Sequence, residues 1–400
     1  ASELRQIGYE VIVGKQVCKS ASRMGVPPET FLEQHEQRAL DEGADSDFIA
    51  QMRGGFTGVI GRWKSEKPGP VMALRFDLDS NDLVESSSQD HSPVTKQFRS
   101  RHHGMMHACG HDGHTAIGLG VAHKLWDLRE ELTGEIRLIF QPAEEGCRGA
   151  KSIVDAGWLD GVDVFFGAHI GLDCQRLGEV VASTYGYLAT TKLNVSFRGK
   201  AAHAGGQPEA GRNALLAAAA AALHLHGIPR HSGGYTQINV GKLEAGTGRN
   251  VIPDTAYMEL ETRGETSALD EYMVQEATKR IEHTAWMYGV EVAMEVVGKG
   301  PGGIPPSEQG LPLVRKAASN VKQIERVVDQ MKISVSEDVV YMLNRVREQG
   351  GVAEYMLLGS ELSAGHHQST FDFDEGVLPL GVELFKELVL LSNATNETVK

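Results

Sequence analysis

Four hundred residues with 41% apolar content can bury a large core, and a chain of this length points to two domains. A formal net charge of −14 argues against a nucleic-acid or anionic-membrane partner, so an acidic substrate must be met by local cations. The four cysteines, Cys18, Cys109, Cys147 and Cys174, show neither disulfide nor Cys-x-x-Cys spacing, which fits a reducing compartment. No apolar run is long enough to span a bilayer and no signal-peptide pattern is present, so a cytoplasmic location is expected. Ala1-Ser-Glu-Leu-Arg5 reads as mid-helix, as if a segment preceded it.

In chain order, a helix end passes through Gly8-Tyr9 into a strand at 10–13. Residues 18–52 are polar, with a helical stretch at 29–43, and read as an excursion from the core. Strands are expected at 56–60 and at 70–76, the second apolar enough to be buried on both faces. Residues 80–105 read as a loop over the site. Asp112 can cap a helix running to Leu125. A strand at 135–140, a helix at 150–156 and a strand at 162–166 follow, with His169 just beyond. Strand, helix, strand at this spacing describes a parallel sheet.

After Tyr187 the pattern changes. A strand at 190–198, a helix at 212–226, strands at 235–243 and 255–263, a helix over Ser267–Tyr288 opened by Ser267 with Asp270, and a strand at 290–297 make a βαββαβ unit. The Gly- and Pro-rich 298–306 returns the chain to helices at 313–328 and 336–347, a strand at 354–358 and a last helix at 375–391. The expected fold is α/β: a catalytic domain with a mixed, largely parallel sheet (1–188 and 301–400) and an inserted ferredoxin-like unit (189–300).

His107-Ala-Cys-Gly-His-Asp-Gly-His114 packs three imidazoles and a thiol into eight residues. Taken alone it also fits a His-rich loop with a buried cysteine. Glu144-Glu145, His169 and His366-His367, however, fall beyond other strand ends, where ligands gather in open α/β sheets. Cys109, His111, Glu145, His169 and one of His366/His367 exceed what one tetrahedral site needs, but suit two metals that keep a position open for water. Glu144 is the spare carboxylate, placed to take a proton from water and return it to a leaving amine. A cysteine-nucleophile amidase built on Cys109 is the mechanistic rival. It leaves Glu144, Glu145 and His169 without a task.

The stretches MHACGHDGHTA (106–116), IFQPAEEG (139–146), GAHIG (167–171), AAHAG (201–205), GRNVIP (248–253) and HHQSTFDFDE (366–375) resemble the amidohydrolase branch of the aminoacylase and carboxypeptidase G-type metallopeptidase family. The resemblance covers nearly the whole chain. It implies a two-metal catalytic domain and a lid domain that also mediates dimerisation. By matching position it implies Cys109, His111, Glu145, His169 and His367 as metal ligands and Glu144 as general base. His367 is preferred to His366 for its offset from Phe371-Asp-Phe-Asp-Glu375.

His203 resembles the lid histidine that reaches a neighbouring protomer's site and steadies the oxyanion, and Asn250 and Arg263 resemble lid residues that hold the substrate carboxylate. Arg75-Phe-Asp77 stands where the wider family has His-x-Asp, so Asp77 is assigned an orienting role behind the ligands. Asp79-Ser-Asn-Asp-Leu83 departs from the family's Asp-Ala-Leu-Pro at the pocket rim.

The expected function is metal-dependent cleavage of the amide bond of a small N-acyl glutamate or aspartate. Two divalent ions per chain are expected, with Mn²⁺ favoured by resemblance and Zn²⁺ by the thiolate ligand. A homodimer, or a heterodimer with a related second subunit, is expected through the lid. The non-catalytic alternative is a structural or regulatory component of such an assembly.

Overall fold

The computed structural model describes residues 1–306 and 308–395; Ser307 and 396–400, the end of the segment expected at 301–400, lie outside the described residues. The strands are β1 (Glu10–Val13), β2 (Val59–Lys64), β3 (Val71–Asp77), β4 (Glu135–Gln141), β5 (Val164–Ile170), β6 (Glu179–Tyr185), β7 (Ala189–Arg198), β8 (Thr236–Ala245), β9 (Thr255–Gly264), β10 (Glu291–Gly300), β11 (Arg326–Lys332) and β12 (Val352–Leu358). Eight of them form one sheet in the order β1-β2-β4-β3-β5-β12-β6-β11. Its centre, β4-β3-β5-β12, is parallel, while β1, β2 and the β12–β6 pair introduce antiparallel neighbours. The remaining four pair antiparallel in the order β10-β7-β9-β8, the ferredoxin-like arrangement. The expected fold class is the one found.

Helices cover both faces of the large sheet, which is why its central strands are apolar in nearly every position. Leu74, Phe76, Leu138, Phe140, Phe166 and Leu358 pack on one side with Ile117, Val121 and Leu125 of helix His111–Asp127 and Leu384, Phe385 and Leu388 of helix Val377–Thr395. On the other side Ala73, Ile139, Phe165, Tyr355 and Leu357 pack with Ile153 of helix Ala150–Asp155 and Leu343 and Val346 of helix Val340–Glu348. The small sheet has its own core. Val195, Phe197, Met258 and Leu260 meet Ala217, Ala218 and Ala221 of helix Ala214–His226 and Met273, Ala277 and Ile281 of helix Ser267–Tyr288. The alanine run serves close packing, and among the described residues no helix is long and apolar enough to cross a membrane.

Several boundaries differ from expectation for physical reasons. The strand expected at 162–166 continues to Ile170, because its parallel partner β12 pairs with it as far as Leu358, so His169 lies inside the strand. The segment expected as helix 313–328 is a helix, Gly310–Ser319, followed by β11, an edge strand whose half-exposed polar residues imitate a helical pattern. Strand β6 was not expected at all. The strand at 56–60 is displaced to Val59–Lys64.

Asp112 does not cap its helix: Gly110, left-handed at φ +84°, precedes the first turn, and no side chain caps it. Thr266, not Ser267, caps the long lid helix by accepting from Leu269 N, and Asp270 instead is buried between the hydroxyls of Thr191 and Thr262. The 18–52 excursion contains two helices, Glu29–Asp41 and Ser46–Met52, and adds no strand to the sheet.

Candidate metal centre

Parallel register brings the ends of β3, β4 and β5 to one edge of the sheet, with Asp77 beside Gln141. Helix His111–Asp127 starts at this edge and can approach closely because Gly113 has no side chain. A Cβ there would lie 2.6 Å from Phe373 Cζ and 2.7 Å from Ile170 Cδ1. The first turn therefore delivers His111 and His114 against the strand ends.

The two histidines have different hydrogen-bonding states. His114 Nε2 accepts from Ile170 N (2.9 Å), so its Nδ1 carries the proton and donates to Asp77 Oδ1 (2.5 Å). Both nitrogens are spoken for, and His114 is a support. His111 is just as buried, yet neither ring nitrogen has a hydrogen-bond partner. They face Asp77 Oδ2 at 3.6 Å and Asp79 Oδ1 at 3.3 Å. His169 donates from Nδ1 to Ile170 O (2.8 Å), which leaves the Nε2 lone pair directed at Cys109 Sγ, 3.4 Å away.

Glu145 receives Asn81 Nδ2 (2.7 Å) and lies 3.1 Å from His367 Nε2, while its backbone N–H donates to Asp79 Oδ2 (2.9 Å). His366 Nε2 donates to Ile170 O (3.2 Å) and its ring stacks at a tilt on His169. Candidate ligand atoms of Cys109, His111 and Glu145 lie within 4.8 Å of one another, as do those of Cys109, His169 and His366. His367 thus meets the cluster through Glu145 and His366 through His169.

Electrostatics divide the site. Burial alone would raise the Asp77 carboxyl, but Arg75 (2.8 Å) and the imidazoles of His111 and His114 hold it well below the usual range. Burial opposes charge on His111, yet Asp77 and Asp79 push it up to about 9. Burial and the neighbouring imidazoles of His114, His366 and His111 keep His169 neutral, with its pKa well below the ordinary value. Burial and the carboxylates of Glu145 and Glu144 push the Cys109 thiol up, so a thiolate here requires a cation. That weighs against Cys109 as a free nucleophile.

Burial raises Glu144 well above the carboxylate range, reinforced by Glu337, Asp338, Asp79 and Glu145. Its neighbour Glu145 is also desolvated but is lowered by His367 and Asn81. Adjacent carboxyls with opposite shifts separate a group that favours its proton from one that favours its charge.

Two divalent ions fit this donor set. Both nitrogens of His111 and Asp79 Oδ1 are buried polar atoms without hydrogen-bond partners, an arrangement that is costly unless something else meets them. Thiolate, imidazole and carboxylate are all ligands for first-row divalent ions.

The structure brings Cys109, His111, Glu144, Glu145, His169, His367 and Asp77 to this edge, and keeps His203, Asn250 and Arg263 on the lid. His203 Nδ1 accepts from Gly205 N and Gly206 N, so a neutral ring carries its proton on Nε2 and can donate from it. Ala204 N donates to Asn250 O at 3.0 Å, which places the two segments side by side. Arg263 is folded onto Glu261 (3.0 and 3.3 Å).

Asp79 and Asn81 were legible in the sequence only as part of a pocket rim, and Arg75, Glu337 and Asp338 were missed as members of the site. The one signal was Arg75, a charge within an otherwise apolar strand.

A profile described as "Peptidase family M20/M25/M40" matches residues 73–391. The chain is 46% identical over 384 residues to indole-3-acetyl-aspartic acid hydrolase of Enterobacter agglomerans, covering 96% of this chain and 88% of that protein. It is 45% identical over 391 residues to a p-aminobenzoyl-glutamate hydrolase subunit of Escherichia coli K12, covering 98% and 89%. The crystal structure of an aminobenzoyl-glutamate utilization protein from Klebsiella pneumoniae superposes with a TM-score of 0.83 at 39% identity, over 97% of this chain and 88% of that one. A family match over residues 73–391, with relatives 45–46% identical over nearly the whole chain, makes this protein a member of peptidase family M20/M25/M40 and a metal-dependent hydrolase.

Proposed function

We propose that the chain hydrolyses the amide bond of an N-acyl acidic amino acid, with p-aminobenzoyl-glutamate as the first substrate. The observation that carries this reading is the pairing of a buried, proton-retaining Glu144 with Glu145, whose ligand oxygen lies within 4.8 Å of those of Cys109 and His111. Cys109, His111, Glu145, His169 and His367 would hold two divalent ions, Mn²⁺ first and Zn²⁺ second. When bound, these ions polarise the scissile carbonyl and acidify water as Lewis acids.

In its carboxylate form Glu144 accepts the proton of the attacking water, and its raised pKa suits it to hold that proton and return it to the leaving nitrogen. Asp77 and Asp79 orient His111, and Asp77 also orients His114. His203 of a partner lid donates from Nε2 to the developing oxyanion. Asn250 and Arg263 receive the substrate carboxylate, for which Arg263 exchanges its partner Glu261. The working form is a dimer through the lid, with an identical or a related second subunit. Four buried free cysteines support a cytoplasmic location.

Indole-3-acetyl-aspartate is the second reading, favoured by the equally similar relative of that name. The test uses purified chain loaded with Mn²⁺ or Zn²⁺ and follows product release from p-aminobenzoyl-glutamate, indole-3-acetyl-aspartate and the corresponding N-acyl-leucine compounds. Turnover of an acidic substrate above its leucine analogue is expected. A preference for the leucine compounds would reject the assigned carboxylate site.

A further inference from the structure

The loop Pro142–Gly149, which presents Glu144 and Glu145, is conformationally expensive. Ala143 (φ +54°) and Cys147 (φ +60°) are non-glycine residues in the left-handed region, which side chains disfavour. Such backbone persists only where its surroundings over-determine it. Asp79 and Lys299 hold its middle, through Glu145 N to Asp79 Oδ2 and Lys299 N to Cys147 O, and one further carboxylate ties its two ends. Asp338, fully buried, accepts from Gln141 Nε2 (2.7 Å) through Oδ1, and from Gly149 N (3.0 Å) and Ala150 N (2.8 Å) through Oδ2. Gln141 and Gly149 are the two ends of the loop, so Asp338 closes its mouth.

The clamp continues across the site. Gln141 Oε1 accepts from Arg75 Nε (2.8 Å), and Arg75 Nη1 pairs with Asp77 Oδ2 (2.8 Å), whose other oxygen accepts from His114. Arg75 Nη2 also donates to Glu337 Oε1 (3.1 Å), and Glu337 Oε2 accepts from Tyr355 OH (3.0 Å). A buried guanidinium among three buried carboxylates is weak evidence for stability, because desolvation offsets most of the attraction. What it does supply is fixed geometry between the carboxylate loop and the histidine wall.

We propose that Asp338 is a positioning residue of the reaction, acting through Gln141 and Arg75 to hold Glu144 and Glu145 against the histidines. This rests on the reading of Glu144 and Glu145 given above. The chemistry of the clamp provides a reciprocal test. In Asp338→Asn, the remaining side-chain oxygen can still serve Gly149 and Ala150, but the new amide nitrogen then meets Gln141 Nε2, donor against donor. Gln141 cannot turn over without pointing its amide N–H groups at Arg75. Adding Gln141→Glu restores every bond: the carboxylate introduced at position 141 accepts from Arg75 and from the amide introduced at position 338, and the number of charges is that of the wild type.

Asp338→Asn should retain two metal equivalents and lose on the order of 100-fold in kcat with KM within about threefold, the effect of a misplaced catalytic group. Hydrogen–deuterium exchange across 142–150 should quicken. The double variant Gln141→Glu/Asp338→Asn should recover both. Wild-type kcat in folded Asp338→Asn, or failure of the double variant to recover folding or turnover, would overturn the proposal. If the wild type cleaves no N-acyl amino acid, the functional reading fails instead, and the exchange comparison still decides the clamp.

Discussion

Replacing Glu144 by glutamine separates proton transfer from shape. The amide matches the carboxyl in size but neither takes nor returns a proton, so the contribution of general acid–base catalysis is lost, about 10²–10⁴-fold in kcat. That corresponds to about 2.7–5.4 kcal/mol of transition-state stabilisation. The same substitution should stabilise the metal-free fold on the alkaline side. Burial and the carboxylates of Glu337, Asp338, Asp79 and Glu145 raise the Glu144 pKa above that of the unfolded chain. Between those two values the native state holds the extra proton, so native stability falls as pH rises through the window. Glutamine has no such ionisation.

The assay is steady-state release of p-aminobenzoate by metal-loaded protein, with metal counted by mass spectrometry, and thermal melts of chelator-treated protein at pH 5 and pH 8.5. Glu144→Gln should lose turnover at full metal content and gain melting temperature at pH 8.5 relative to wild type, with a smaller gain at pH 5. Activity within tenfold of wild type would refute the assignment of Glu144 as the proton carrier. An unchanged melting temperature at pH 8.5 would refute the electrostatic argument.

Cys109→Ser exchanges a soft ligand for a poor one and should leave fewer than two Zn²⁺ equivalents after gel filtration; an unchanged stoichiometry would remove Cys109 from the ligand set. Glu354, raised by burial to about 7 and leaving Oε1 without a hydrogen bond, weakens the native state as pH climbs from about 4.5 to 7. Glu354→Gln should therefore stabilise by up to about 3 kcal/mol at pH 8.5 and by little at pH 5, measured by urea titration; an equal effect at both pH values would contradict this. Gly113→Ala drives a methyl group against Phe373 and Ile170 and should cost about 1–2 kcal/mol net of the gain in helix propensity, read from the denaturation midpoint. A more stable Gly113→Ala protein would show that this contact yields easily.

What could be read from the sequence followed from local physics. Strands β3, β4, β5 and β12 were legible because a sheet covered on both faces demands largely apolar runs. Strand β11 was not, since an edge strand can keep its charges and Arg326–Lys332 does so. Cys109, His111, Glu145 and His169 stood out as reactive side chains clustered at strand ends. Arg75, Gln141, Glu337 and Asp338 did not, because their pairings span up to 280 positions and leave no periodic trace. Asp79 was visible only as a departure from a motif, and its contact with His111 required the fold.

The most direct test strips the purified chain of metal and titrates Mn²⁺ while following p-aminobenzoyl-glutamate hydrolysis. No turnover is expected without metal, followed by a rise that levels at two equivalents per chain. Full turnover by the stripped protein, or saturation without any hydrolysis, would contradict a two-metal hydrolase.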